Sequence, residues 1–281
     1  MTTARASSTA RKARPRFDCA VLLAVVTVGV GCVGNTGGAA LDFPVAAAGP
    51  VAASAEQPLI CAGDPAWTVA LTEASLHVGA VYLDQSQQVS GAQATGCVLN
   101  GTYVAEELSG LDVDLLASAP QPFPAQAHGI TTPPALIGEV WLTRGPIDAV
   151  PSSSPVLPIL TVAGTATQTA TGATFPFTGT VSLEGNYQSS GGGGDPICKK
   201  RIASPIPAAV EIAATGGLLL RIDPCRFFTG TDFSALPAGP TPGTYRFSDD
   251  PTAADYAPTG ANLYGNLHSS GPYSFSWTAD L

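Results

Sequence analysis

Residues 157–183 read LPILTVAGTATQTATGATFPFTGTVSL, and this stretch decides the fold class. Two runs rich in β-branched residues, 157–166 and 173–183, flank a loop of hairpin length. In the second run Phe175 and Phe177 alternate with smaller residues, which places both aromatic rings on one face. Pro176 cannot donate to a strand ladder, so we expect a sheet edge or a bulge there. The stretch predicts an antiparallel β-hairpin with one apolar face.

Short strand patterns recur along the rest of the chain. They cover 67–72, 74–84, 137–143 and 272–277, and a second hairpin is predicted from 208–214 and 218–222. The chain is 45% hydrophobic and contains 31 Gly and 25 Pro, which is typical of many short strands joined by turns. We therefore predict an all-β fold, an antiparallel β-sandwich of immunoglobulin-like or jelly-roll-like type, with one or two short helices.

Three segments have helical signals. Residues 261–268 form one predicted helix, and Asp223 followed by Pro224 predicts a single helical turn with Asp223 as its N-cap. In the segment 104–119, Leu108, Leu111 and Leu115 have helical spacing. This third segment contains Gly110, which disfavours a helix.

The chain begins with an export signal. Five basic residues precede the apolar run VLLAVVTVGVGC at 21–32, which is too short to span a bilayer as a helix. Residues 29–32 (GVGC) resemble a bacterial lipobox, which implies cleavage before Cys32 and lipidation of that cysteine. We expect a signal peptide at 1–31, a flexible tether at 32–58 that is rich in Gly, Ala and Pro, and a β-sandwich domain at 59–281.

The charge balance limits the possible partners. Removing 1–31 takes five of the 12 basic and one of the 21 acidic residues, which leaves a net charge of −13. Such a protein repels nucleic acid and anionic lipid, so any membrane contact is expected through the lipid anchor. We therefore expect an exported protein of the cell envelope, in the periplasm or at the outer membrane, with a possible protein partner there.

Four cysteines remain after Cys19 leaves with the signal and Cys32 is lipidated. They are Cys61, Cys97, Cys198 and Cys225, an even number in an oxidising compartment. Three connectivities are possible. We favour the local pairs, Cys61 with Cys97 and Cys198 with Cys225, over a thiolate metal site, because no CxxC pair occurs.

No catalytic motif occurs in the sequence. There is no GxSxG elbow, no HExxH and no EF-hand loop. Three histidines, His77, His128 and His268, are the candidates for a metal site, because imidazole suits copper, zinc and nickel. Taken singly, each is also compatible with an ordinary structural role.

Three blocks carry a resemblance to a known family. They are 67–83 (WTVALTEASLHVGAVYL), 162–177 (VAGTATQTATGATFPF) and 218–236 (LLLRIDPCRFFTGTDFSAL). These blocks resemble bacterial MbnP-like proteins, which are secreted β-sandwich proteins associated with copper. The resemblance covers about a third of the chain and implies that His77 is the best copper ligand.

Three functions follow, in order of preference. The first is a non-enzymatic binding or interaction module of the envelope with no resident cofactor. The second is a periplasmic or surface copper-binding protein of MbnP-like type. The third is an envelope hydrolase.

Overall fold

The computed structural model describes residues 38–53, 58–62, 64–86, 102–142, 158–182 and 202–281. The strands in these ranges are β1 (Ala40–Phe43), β2 (Val45–Ala48), β3 (Leu59–Cys61), β4 (Trp67–Val78), β5 (Ala80–Asp84), β6 (Tyr103–Glu107), β7 (Leu111–Asp114), β8 (Gln121–Pro122), β9 (Ala127–Ile130), β10 (Ala135–Trp141), β11 (Leu160–Gln168), β12 (Thr174–Val181), β13 (Ile202–Val210), β14 (Gly217–Ile222), β15 (Tyr245–Ser248) and β16 (Tyr273–Thr278). The helices are a 3₁₀ helix, Pro224–Phe228, and α1 (Pro258–Leu267).

The strands form three sheets. Sheet 1 has the order β1-β9-β6-β5-β10-β13, and sheet 3 has the order β16-β14-β2-β8. Sheet 2 has the order β15-β12-β11-β4-β3, with β7 also pairing with β4. Most pairs are antiparallel, whereas β12 with β15 and β14 with β2 are parallel.

One apolar core joins the three sheets. Its buried side chains come from strands of every sheet, and sheets 1 and 3 meet where the Phe275 ring packs on Gly138. A side chain at Gly138 would overlap that ring. Phe43 and Trp277 also meet edge to face, with ring centroids 5.0 Å apart. The predicted all-β sandwich with a short helix is confirmed.

The predicted hairpin at 157–183 is confirmed for its described residues. Strands β11 and β12 pair in antiparallel register from Leu160 opposite Val181 to Thr167 opposite Thr174. Phe177 is buried, and Pro176 lies one residue before the stretch of β12 that pairs with β15. Its missing N–H therefore removes no hydrogen bond from that parallel ladder.

Residues 74–84, predicted as one strand, and residues 104–119, predicted to contain a helix, form two bent strands that pair in antiparallel fashion. The chain passes from β4 in sheet 2 to β5 in sheet 1 at Gly79, and β6 and β7 run beside them. Gly110, at φ 71°, allows the second strand to bend at the same place. The helical prediction is wrong because pairing with β4 and β5 overrides the leucine spacing, and Leu108 is 51% exposed.

The predicted flexible tether at 32–58 is wrong for residues 40–48. Strand β1 pairs with β9, and β2 lies between β14 and β8 with all four residues buried. The alternating pattern that marks a half-buried strand is missing from VAAA because both of its faces are covered. Arg221 strengthens this arrangement by donating to the carbonyl of Gly49, just after β2, at 2.9 Å.

The second predicted hairpin is also wrong. Strand β13 pairs with β10 in sheet 1, whereas β14 pairs with β16 and β2 in sheet 3. The two strands are adjacent in sequence but belong to different sheets. Pro205 and Pro207 lie on β13, and proline is tolerated there because β13 is an edge strand.

The three predictions near the C-terminus are confirmed. Asp223 caps the 3₁₀ helix, accepting a hydrogen bond from the Cys225 amide, with Pro224 at its first position. Helix α1 and strand β16 also form where the sequence indicates. Within the described ranges, no helix is long and apolar enough to cross a membrane.

The disulfide joins Cys61 to Cys225, which contradicts the predicted local pairs. The two residues are separated by 164 positions, yet their Cα atoms lie 5.0 Å apart. Strand β3 and the 3₁₀ helix bring them together beside Trp67 and Phe228. Sequence proximity was a poor guide because sheet pairing, not chain length, sets which cysteines meet. Cys97 and Cys198 lie outside the described residues.

Candidate functional site

An open groove of about 300 Å³ lies on sheet 2. Strands β4, β11 and β12 contribute to it, together with the loop before β15. Its lining residues are Thr72, Ala163, Gly164, Pro176, Phe177, Thr178, Pro240, Thr241, Thr244 and Tyr245. The volume is at the lower end of the roughly 300–1,000 Å³ that is typical of ligand sites.

An irregularity in the β4–β11 pairing shapes the floor of the groove. Leu71 pairs with Gly164 and Glu73 with Ala163, so Thr72 is the extra residue of a β-bulge. A side chain at Gly164 would overlap the carbonyl of Ala70, which explains why a glycine stands opposite the bulge. Bulges re-aim side chains and are common beside functional sites.

A tight loop forms one wall of the groove. The Gly239 amide donates to the Thr244 carbonyl at 2.7 Å, and the Thr244 amide donates to the Thr241 carbonyl at 3.0 Å. The Thr244 hydroxyl also donates to the Thr241 carbonyl, at 2.7 Å. Gly243 closes the turn at φ 79°, a conformation that favours glycine. These contacts hold Pro240 and Thr241 in place.

A network of aromatic rings supports the groove from below. The rings of Tyr245 and Phe175 have centroids 5.3 Å apart, and Phe175 meets Trp67 at 5.4 Å. Phe177 contacts the rings of Phe233 and Phe247 at 5.2 and 5.8 Å. Such packing favours a rigid base, so the groove is preformed rather than created by a ligand.

The groove is uncharged but carries hydroxyl groups. None of its ten lining residues is ionisable at neutral pH, and four of them are threonines. Arg246, which follows Tyr245 on β15, forms a salt bridge with Asp255 at 3.4 Å. The surface is therefore suited to a neutral ligand that has both apolar and hydrogen-bonding parts.

The three predicted histidines lie on separate elements. On β4, His77 Nδ1 lies 3.0 Å from Asp112 Oδ1, and on β9, His128 Nδ1 lies 2.8 Å from Asp42 Oδ1. His268 follows α1 and contacts the Tyr264 carbonyl through Nδ1 at 2.7 Å. Within the described residues, no group of three His, Cys, Asp or Glu side chains could hold a metal ion. The structure therefore does not bring His77, His128 and His268 together as one metal site.

A buried carboxyl pair lies on the outer face of sheet 1. Glu139 on β10 accepts hydrogen bonds from Trp141 Nε1 at 3.1 Å and from the Ser204 hydroxyl at 3.4 Å. Asp84 on β5 is equally buried and interacts with Glu139. Burial raises the pKa of Glu139, and the neighbouring Trp141, Ser204 and Asp84 side chains oppose that rise.

Aromatic rings surround this pair. Tyr82 lies between Tyr103 and Trp141, with centroid distances of 5.0 and 5.3 Å. Burial, and then the nearby Glu139 and Asp84 carboxyls, raise the pKa of Tyr103.

Glu107, at the end of β6, is a further buried acid. Its Oε1 atom accepts hydrogen bonds from the Ser109 amide, at 2.9 Å, and from the Ser109 hydroxyl. Its Oε2 atom is buried and has no hydrogen-bond partner among the residues that the structure describes. Burial raises the pKa of Glu107, although the Ser109 hydrogen bonds lower it.

The remaining predicted site residues are cysteines. Cys61 and Cys225 form a disulfide, as predicted for both residues, although not with the predicted partners. Cys32, the predicted lipidation site, lies outside the described residues.

Comparisons with protein-family models, with curated proteins and with solved structures found no match for this chain.

Sequence reasoning missed both the groove and the carboxyl pair. In IGEVWLT, Glu139 shares a strand face with Ile137 and Trp141, and an acid among large apolar residues is a detectable sign of burial. The groove has no comparable local sign, because its lining comes from three strands and a distant loop. Pro176 lines the groove, but the sheet edge or bulge predicted there is wrong, because β12 lies between β11 and β15 and the bulge is at Thr72 on β4.

Proposed function

We propose that this protein is exported, lipid-anchored at Cys32, and acts in the cell envelope as a non-enzymatic binding module. The groove on sheet 2 is its ligand-binding surface. The observation that carries the proposal is the combination of an open volume of about 300 Å³, an aromatic base and an uncharged, hydroxyl-bearing lining. Such a surface recognises a ligand but supplies no acid, base or nucleophile of the usual catalytic kind.

Rigidity supports binding as the role of the groove. The 239–244 wall is closed by backbone hydrogen bonds, and the floor is part of a continuous sheet. A preformed site loses little conformational entropy when a ligand binds. A small, partly polar site can then hold its ligand with useful affinity.

The anchor can be tested with Cys32→Ala. We expect the wild-type protein to fractionate with membranes and the variant to be released, because an acylated lipoprotein cysteine holds the protein by more than one chain. The intact mass of the mature N-terminus should show the acyl chains. Equal membrane retention of both proteins would contradict lipid anchoring.

The groove can be tested with Thr178→Trp. Thr178 is exposed on β12 and lines the groove, so an indole there fills the space. The matched control is Thr174→Trp, which lies on the same strand, is also exposed and does not line the groove.

The measurement is cosedimentation with isolated bacterial cell envelopes, made in the Cys32→Ala background so that the lipid anchor does not itself hold the protein on the membranes. We expect binding to weaken at least about tenfold in Thr178→Trp, which corresponds to the loss of roughly 1.4 kcal/mol. The Thr174→Trp control should bind like the wild type. Equal binding by both tryptophan variants would remove the groove from the proposal.

Copper binding through His77 is the second candidate function. The Asp112 carboxylate on His77 Nδ1 favours it, because histidine ligands of metals usually have their second nitrogen bonded to such a group. The test is copper analysis of the purified protein beside His77→Ala. Copper bound in equal amount by both proteins would exclude His77 as the ligand.

A further inference from the structure

We propose that the groove binds a sugar ring of an uncharged glycan. This inference rests on the proposed binding function and adds the chemical class of the ligand. It is carried by three properties of the groove: its charge, its apolar surfaces and its hydroxyl groups.

The absence of charge in the lining selects a neutral ligand. An ionised ligand group would lose water in the groove without meeting an opposite charge among the ten lining residues. The protein as a whole has a net charge of −9, and −13 once residues 1–31 and their five basic and one acidic side chains are removed. This field also repels anionic polymers such as phosphate- or uronate-bearing glycans.

The apolar parts of the lining are flat and few. Pro176 and Pro240 present ring surfaces, and Tyr245 is a half-buried aromatic residue fixed against Phe175. A sugar ring has apolar C–H surfaces of matching size, which an amphipathic tyrosine can cover while its hydroxyl stays in reach of water. A long alkyl chain would need a deeper and more continuous apolar surface than this open groove provides.

The polar parts of the lining are hydroxyl groups. Thr72, Thr178 and Thr241 are exposed, and Thr244 completes the set of four threonines. A threonine hydroxyl can donate one hydrogen bond and accept others, so it matches a ligand whose own groups do both. Sugar hydroxyls have this property. The bulge at Thr72 adds a hydroxyl to the groove.

A proline-rich peptide is the nearest rival because such segments also bind aromatic-lined grooves. Its prolines lack N–H groups, so it presents mainly carbonyl acceptors and needs fixed donors on the protein. The groove offers rotatable hydroxyls that donate and accept. This difference favours the sugar, and the peptide becomes an arm of the test.

The experiment is isothermal titration and ligand-observed NMR with the purified mature protein. The uncharged probes are maltohexaose, cellohexaose and fully N-acetylated chitohexaose, the charged probe is an oligogalacturonate, and the rival probe is a proline-rich peptide. We expect at least one uncharged glycan to bind, with affinity at least about tenfold weaker in Thr178→Trp and unchanged in Thr174→Trp.

Thr178→Val separates hydroxyl recognition from space filling, because valine has a similar shape and suits a strand. Weaker glycan binding by this variant supports the proposal. Preferential binding of oligogalacturonate or of the proline-rich peptide overturns it. If no uncharged glycan binds while envelope binding remains sensitive to Thr178→Trp, the ligand class is wrong and the proposed function stands. If envelope binding is also insensitive, both are wrong.

Discussion

The outer faces of sheet 1 and sheet 2 differ in the solvent exposure of their polar side chains. On sheet 1, Glu139 and Asp84 are fully buried among aromatic rings. On sheet 2, the charged residues Glu73 and Arg246 are exposed to solvent, and so are Thr174 and Thr178. Sheet 1 therefore buries two carboxyl groups among aromatic rings, whereas sheet 2 keeps its outward charges and hydroxyl groups in solvent.

This difference suggests separate roles: the buried carboxyl groups of sheet 1 affect stability, and the groove of sheet 2 is the proposed binding surface. A buried carboxyl pair makes the fold sensitive to pH because ionisation inside a protein is costly. An open uncharged groove has no such dependence and can hold a ligand over a wide pH range. The comparison makes three predictions about stability, beginning with the largest effect.

Removing the disulfide should have the largest effect and should act on the side of sheet 2. The bond joins β3, an edge strand of sheet 2, to the 3₁₀ helix. For the double variant Cys61→Ser, Cys225→Ser we expect a loss of roughly 3–5 kcal/mol in the free energy of unfolding, because the bond closes a long loop. Urea unfolding under non-reducing conditions measures this loss.

Hydrogen exchange of the same variant tests the regional part of the prediction. Amides of β3, β4 and the 3₁₀ helix should lose more protection than those of β5 and β10, since local opening follows the missing link. An equal loss of protection in sheets 1 and 2 would show that the disulfide supports the whole sandwich rather than the groove side.

Glu139→Gln should change the pH dependence of stability. Burial raises the pKa of Glu139 above its ordinary value of 4.5, so the folded protein binds more protons than the unfolded chain between the two pKa values. The contribution of Glu139 to stability is therefore fully present below about pH 4.5 and is lost as the pH rises through its folded-state pKa. At pH 8 the variant should be more stable than the wild type by about 1–3 kcal/mol.

Thermal unfolding between pH 4 and pH 8 measures this effect. The control is Glu73→Gln on sheet 2, which removes an exposed carboxylate and should change stability by less than about 0.5 kcal/mol. A smaller slope of the same sign should persist in Glu139→Gln because burial also raises the pKa of Glu107. A Glu139→Gln profile that matches the wild type would contradict an ionisation cost on sheet 1.

Gly243→Ala should have the smallest effect and should act on the wall of the groove. Gly243 has φ 79° with open space around it, so alanine meets no clash but adopts an unfavourable backbone conformation. We expect a loss of about 1 kcal/mol and weaker ligand binding, measured by thermal unfolding and titration. The matched control is Gly265→Ala in α1, which also has open space and should gain about 0.5–1 kcal/mol. A stability gain at both positions would mean that the wall is not conformationally restricted.

The parts of the fold that depend on neighbouring residues could be predicted from sequence. The β11–β12 hairpin and the Asp223 cap follow from local patterns and from the chemistry of proline and carboxylate groups. Helix α1 and strand β16 belong to the same class. Each forms from a short window of sequence whose partners are close along the chain or whose pattern is strong.

The parts that depend on distant partners could not. The segment VAAA at β2 has no amphipathic pattern because both of its faces are buried. Its pairing with the distant strands β14 and β8 has no local sign in the sequence either. Strands β13 and β14 resemble a hairpin in sequence, yet each pairs with other strands. The Cys61–Cys225 bond and the groove have the same origin, since both join segments more than 60 residues apart.

If Cys32 is the lipid anchor, as we propose, the position of β1 limits the distance between the domain and the membrane. Eight Cα–Cα steps then join Cys32 to the start of β1 at Ala40, which allows a reach of at most about 29 Å. A tether through residue 58 would have allowed about three times that distance. A mechanical load on the anchor would pass into sheet 1 through β1 and into sheet 3 through β2. Under the proposed lipidation of Cys32, the domain would therefore stay within that distance of the bilayer, and a pulling force would act directly on two of its sheets.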